Sequence, residues 1–141
     1  MLSRSTLLHL RFPFSLFLLP IYLFALSQID QVSWPNALLV FFILHFLLYP
    51  ASNGYNSYFD RDESSIGGLR QPPPVSRELY WASLTLDLLA IILGFIISWQ
   101  FSVMLLVYGL VSKAYSHPKI RIKRYPWLSW LVAGFFQGCF T

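Results

Sequence analysis

Long uncharged runs alternate with short polar bridges along this chain, and most of its charge collects at the ends of those runs. The first run extends from Phe12 to about Gln28 and contains Pro13 and Pro20. It predicts a membrane helix kinked at Pro20, because proline removes a ladder hydrogen bond and crowds the preceding turn. A signal peptide would share the basic start and apolar middle, with Ala25-Leu26-Ser27 as its cleavage site. Further runs follow and that site is poor, so the reading is a retained helix. A bridge from Ile29 to Ser33, with Asp30, leads to Trp34-Pro35, where proline suits a first helical turn. The second run spans Ala37 to Tyr49, with His45 as its only ionisable group. The helix is expected to continue to Asp60, loosened by Pro50 and Gly54 just before its polar end. At about 1.5 Å per residue such a helix exceeds the hydrocarbon core, so its last turns project into a headgroup-level cavity.

Residues 64–76 read as a loop, with Gly67-Gly68, Pro72-Pro73-Pro74 and Ser76 as a helix N-cap. Glu78 follows in the first turn, where a carboxylate complements the helix dipole. A third run covers about Leu79 to Ile97 with Asp87 in its middle, and Trp99-Gln100 is expected to form a tight turn. The fourth run, Phe101 to about Ala114, leads into Tyr115-Ser116-His117-Pro118 and a basic loop holding Lys119, Arg121, Lys123 and Arg124. A fifth begins at Tyr125 and is still uncharged at Thr141. The pattern predicts an all-α, multispanning transmembrane bundle with about four to five helices present.

Composition narrows the class. Hydrophobic residues make up 56% and charged residues 11% of the 141 positions, which excludes an ordinary soluble domain. Mean hydropathy is +0.57, in the range of multispanning membrane proteins. Cys139 is the single cysteine, so no internal disulfide can form. Placing the N-terminus in the cytoplasm puts all ten Lys and Arg residues on that side or at its helix ends, as the positive-inside rule favours. The acidic end of the second helix and the basic loop then share one face of the membrane. No nucleic-acid partner is expected, since membrane topology already accounts for basic residues there.

Candidate chemistry centres on residues 53–70. This stretch holds Asp60, Asp62 and Glu63, half of the six acids, at the end of an apolar run. Asn53, Asn56, Asp60 and Glu63 or Ser64 follow at steps of three or four, which stacks their side chains on one helix face. A polar stripe leaving a membrane segment is costly unless something uses it. Oxygen ligands suit Mg²⁺, which needs only one or two carboxylates alongside substrate phosphates. Carboxylates with a metal, facing Lys and Arg, form a receptor for a diphosphate, and the adjoining membrane would accommodate a hydrocarbon tail. The ligand with both parts is a polyprenyl diphosphate. Asp87 is a functional candidate by position, since a charge at the bilayer centre costs about 2.5–3.5 kcal/mol. It is read equally as a carboxyl kept neutral and hydrogen-bonded to a neighbouring helix, and is not placed in the site. His45 is read as a satisfied interhelical residue, and Gly134 and Gly138 have a spacing common in membrane helix packing.

The segment Asn56-Ser57-Tyr58-Phe59-Asp60-Arg61-Asp62-Glu63-Ser64 resembles the first aspartate-rich motif, N-D-x-x-D-x-x-x-D, of UbiA-type intramembrane prenyltransferases. Asn56 and Asp60 match, while Ser57 and Ser64 stand where acids are usual and Asp62 and Glu63 supply the lost charge. Gly67-Gly68-Leu69-Arg70 resembles the family's basic segment after the motif, and Tyr115 to Lys119, with Lys123 and Arg124, resembles the loop after its fourth helix. The resemblance implies Mg²⁺ held by Asn56, Asp60, Asp62 and Glu63, with Asn56 and Asp60 central to catalysis. It implies a diphosphate steadied by Arg70, Lys119 and Lys123, and transfer of the polyprenyl group to an aromatic or lipid acceptor. Family members also carry a second aspartate-rich motif in their second half. Residues 1–141 correspond to the first half, so a fragment of a longer enzyme, inactive alone, is expected. The alternative is a non-catalytic membrane protein, an assembly partner or ion-handling subunit built on Asp87 and the acidic loop.

Overall fold

The computed structural model describes residues 2–61, 65–67 and 69–136, and its regular elements are helical. Among the described residues there is no strand, only an isolated bridge between Ile66 and Leu69. Asp62, Glu63, Gly68, Gly138 and Cys139 lie outside the described residues. Three stretches are long and apolar enough to cross a membrane: Arg4–Ser27, Trp34–Asp60 and Arg77–Ile97.

The first stretch begins before the expected Phe12 and is broken into α1 (Arg4–Leu10), α2 (Phe12–Ser15), a 3₁₀ turn (Leu16–Leu18) and α3 (Leu19–Ser27). The disruption expected at Pro20 is this tightened turn, which leaves proline in the first turn of α3. Arg11 closes α1 in the left-handed conformation, φ 48°, and turns the chain into α2.

The second stretch consists of α4 (Trp34–Phe42), a π-helical segment (Ile43–Leu48) and α5 (Tyr49–Asp60). The looseness anticipated around Pro50 lies just upstream of it. Proline has no N–H to donate and its ring crowds the carbonyl four residues back, so a widened turn relieves both. Ile43, Leu44, Leu47, Leu48 and Tyr49 from this bend form a buried core with Ala90, Leu105 and Tyr108. His45 is 1% exposed and its Nδ1 meets the Ser15 carbonyl at 3.0 Å, the interhelical role expected for it. It is only half satisfied, since Nε2 is buried with no hydrogen-bond partner among the described residues.

α6 (Arg77–Ile97) and α7 (Trp99–Ser116) form an antiparallel hairpin, followed by a 3₁₀ turn (Ile122–Arg124) and α8 (Pro126–Gly134). The hairpin breaks at Ser98, one residue before the expected Trp99-Gln100 turn, because the Ser98 hydroxyl caps α7 by accepting from the Phe101 N–H at 3.1 Å. Tyr115 and Ser116 are therefore helical rather than part of the loop. Ser76 occupies the N-cap of α6, but its side chain makes no capping bond. Glu78 instead accepts from the Ser3 N–H at 3.1 Å and the Thr6 hydroxyl at 2.6 Å. Ser5 donates to the Pro74 carbonyl at 2.8 Å and His9 to that of Pro73 at 2.8 Å, so α1 holds the end of the 65–76 loop against α6. Trp81, Leu88, Ile92, Phe95, Trp127 and Trp130 are exposed, as lipid-facing side chains of a membrane bundle are.

Gly54 lets α1, α5 and α6 meet. A Cβ there would lie 2.5 Å from the Ser83 hydroxyl, 3.0 Å from Leu10 and 3.1 Å from Leu79. Gly54→Val should therefore destabilise the bundle by about 1–3 kcal/mol through overpacking. Thermal unfolding in detergent measures this, and an unchanged midpoint would show that the helices separate freely.

Candidate functional site

α5 turns its polar end toward α7 and the loop that follows it. Asn53 and Asn56 line a cavity of about 480 Å³, together with Arg11, Ser112, Tyr115 and Ser116. Its deeper wall is apolar, with Leu18, Val132 and Phe136 among its residues. The expected face is thus real for the two asparagines. Asn56 accepts a hydrogen bond from Ser116 at 2.5 Å, and Asn53 accepts from the Arg11 guanidinium at 3.4 Å. Asp60, one turn beyond Asn56, forms an ion pair with Lys123. That contact brings together two residues expected to serve the same site, and it joins the acidic and basic segments at one end of the bundle.

The remaining candidates are placed differently. Arg70 and Lys119 are exposed and, like Asp60 and Lys123, lie outside the cavity lining, but among the described residues neither is paired with the acidic stripe. The Lys119 N–H approaches His117 Nδ1 at 3.3 Å, while no contact between its side chain and Asn56 or Asp60 is present. Asp62 and Glu63 fall outside the described residues. Tyr115 lines the cavity with its hydroxyl bonded to Ser129 of α8 at 2.7 Å.

Aromatic packing fixes the end of α5. Tyr55 meets Phe59 at 4.8 Å, Tyr58 meets Tyr80 of α6 at 5.2 Å, and Phe59 meets His117 at 5.4 Å between ring centroids. The rings hold one side of α5 against α6 and the post-α7 loop, leaving Asn53 and Asn56 toward the cavity.

Behind α5, Asp87 and Lys113 form an ion pair between α6 and α7. Lys113 Nζ also lies 5.4 Å from the centroid of the Tyr55 ring. Gly109 lies beside the pair, and a Cβ there would meet Lys113 Nζ at 3.7 Å and Asp87 Oδ1 at 3.8 Å, ordinary contact distances. Asp87 is therefore committed to a neighbouring helix, as one of its two readings had it, but as half of an ion pair with Lys113 rather than as a neutral carboxyl.

Arg11 was not expected at the site. A lone arginine between an N-terminal segment and an apolar run reads as a topology signal. Only its left-handed backbone and the fold of α1 over α5 bring it to Asn53.

Oxygen donors from Asn56 and Asp60, one helical turn apart, are of the kind that suits a hard cation such as Mg²⁺. Among the described residues no cluster of three or more His, Cys, Asp or Glu converges, so this set offers one carboxylate rather than a complete protein cage. That is compatible with a metal whose other ligands are water and phosphate. No curated protein and no solved structure gave a match to this chain. Residues 16–141 match the UbiA prenyltransferase family, and the chain belongs to that family.

Proposed function

We propose that this chain supplies the diphosphate-binding end of an intramembrane prenyltransferase, which moves a polyprenyl group from its diphosphate to an aromatic or lipid acceptor. The observation that carries the reading is the meeting of Asp60 with Lys123 beside the cavity that Asn53 and Asn56 line. Amide oxygens in the cavity lining, an acid–cation pair one helical turn beyond them and an apolar wall behind match a charged head and a hydrocarbon tail. Asn56 and Asp60, with Asp62 or Glu63, would hold Mg²⁺. The chemistry Mg²⁺ supplies when bound is neutralisation of the charge that gathers on the departing diphosphate.

Within the chain, Asn56 and Asp60 orient the head. Lys123 and Arg11 offer cations to the phosphate oxygens, and Arg70 and Lys119 would have to approach from their exposed positions to join them. The apolar wall orients the tail and excludes water, so that the allylic carbon, once its bond to the diphosphate oxygen breaks, meets the acceptor rather than solvent. Residues 1–141 would provide the first half of the catalytic domain, with a second acidic segment opposite.

The Lys123–Asp60 pair makes a test with opposite signs. Lys123 neutralises the carboxylate that would ligate metal, and it also serves the diphosphate. Lys123→Met should strengthen binding of Mn²⁺ alone while weakening Mg²⁺-dependent binding of inorganic diphosphate, each by about fivefold to tenfold. Paramagnetic relaxation and equilibrium dialysis read the two values. A change of both in the same direction would contradict the double role.

A further inference from the structure

The cavity at the motif end does not stand alone. A second, also of about 480 Å³, lies between the 29–33 bridge, α4, the π-helical segment and the first half of α7. Its walls are largely apolar and include Val40, Leu44, Phe101 and Met104. Among the described residues Tyr108 alone belongs to both linings. It is 7% exposed, and its ring meets Tyr49 edge-on at 5.9 Å and Phe136 at 6.4 Å. α7 orders the three regions. Ser116 and Ser112 stand at the polar mouth, Tyr108 lies about 12 Å from Ser116 along the helix axis, and Phe101 and Met104 line the far space.

We propose that Tyr108 is a specificity-determining residue that limits the length of the prenyl chain the site accepts, with the second cavity as the space for the far end of longer chains. The inference rests on the diphosphate reading of the first cavity. A tail anchored by its head beside Asn56 runs inward along the apolar wall and reaches the Tyr108 ring. Short chains end before it. Longer chains must displace the ring from Tyr49 or remain partly outside the protein. Removing the ring joins the two spaces, and each additional carbon that enters leaves water or lipid for protein contact.

The experiment measures Mg²⁺-dependent dissociation constants for geranyl, farnesyl, geranylgeranyl and solanesyl diphosphates on the complete membrane protein in detergent. A preference expressed as a ratio of constants is independent of the folded fraction. Tyr108→Ala should shift the preference toward the longer donors by about tenfold. Tyr108→Leu, which retains apolar volume to support the fold, should shift it the same way. Adding Val40→Trp to either variant refills the second cavity and should reverse the shift. An unchanged preference in both Tyr108 variants, with binding still sensitive to Asp60→Asn, would overturn this inference alone. Absence of Asp60-sensitive binding for every donor would overturn the diphosphate reading and this inference with it.

Discussion

Lys113→Met should destabilise the protein by about 3–5 kcal/mol, the largest stability loss expected from a single change here. The side chains of Lys113 and Asp87 are 21% and 8% exposed, so neither charge is well solvated once its partner is gone. Asp87 already has one carboxylate oxygen, Oδ1, buried without a hydrogen-bond partner among the described residues. Removing Lys113 leaves the carboxylate to bear its desolvation unopposed. Lys113→Met combined with Asp87→Leu removes both charges and fills the space with apolar volume, so most of the stability should return. Thermal unfolding of the single and double variants in one detergent makes the comparison. A double variant as unstable as the single would mean that the contact contributes through shape rather than charge.

Asp60→Asn should reduce Mg²⁺-dependent binding of a prenyl diphosphate by about 100-fold or more. The substitution preserves the size of the side chain but removes the charge that faces Lys123 and would face the metal. Asp87→Asn should affect this binding far less. Its carboxylate lies behind α5 in a separate ion pair, and an amide can still accept from Lys113. Isothermal titration with both variants therefore separates the two functional readings. If Asp87→Asn were the more damaging, the ion-handling subunit would become the better account.

Much of the helical order could be read from apolar runs and prolines, because both act locally. Pro20 and Pro50 disturb the turns that precede them wherever the rest of the chain lies. The shared face of Asn53 and Asn56 follows from helical spacing alone. The Asp87–Lys113 contact was also accessible in principle. Folding back at Ser98 sets Gly109 level with Asp87, and a lysine one turn beyond points back toward the start of its helix. The partnership of Lys123 with Asp60 had no local signal, because it depends on how the residues after Ser116 return over α5. Arg11 reaches Asn53 for a similar reason, through a left-handed turn that no residue type at that position announces. Ser98 displaced the expected turn because a single capping hydroxyl outweighed the helix-start preferences of the residues after it.

The central claim is that the polar mouth beside α5 recognises a metal-bound diphosphate carrying an apolar tail. Equilibrium binding of labelled farnesyl diphosphate to the complete wild-type protein in detergent tests it directly, titrated with Mg²⁺ and repeated in excess chelator. The account predicts saturable binding that rises with Mg²⁺, disappears with the chelator and is displaced by inorganic diphosphate. Binding of equal strength with and without the metal, displaced by farnesol but not by diphosphate, would contradict it.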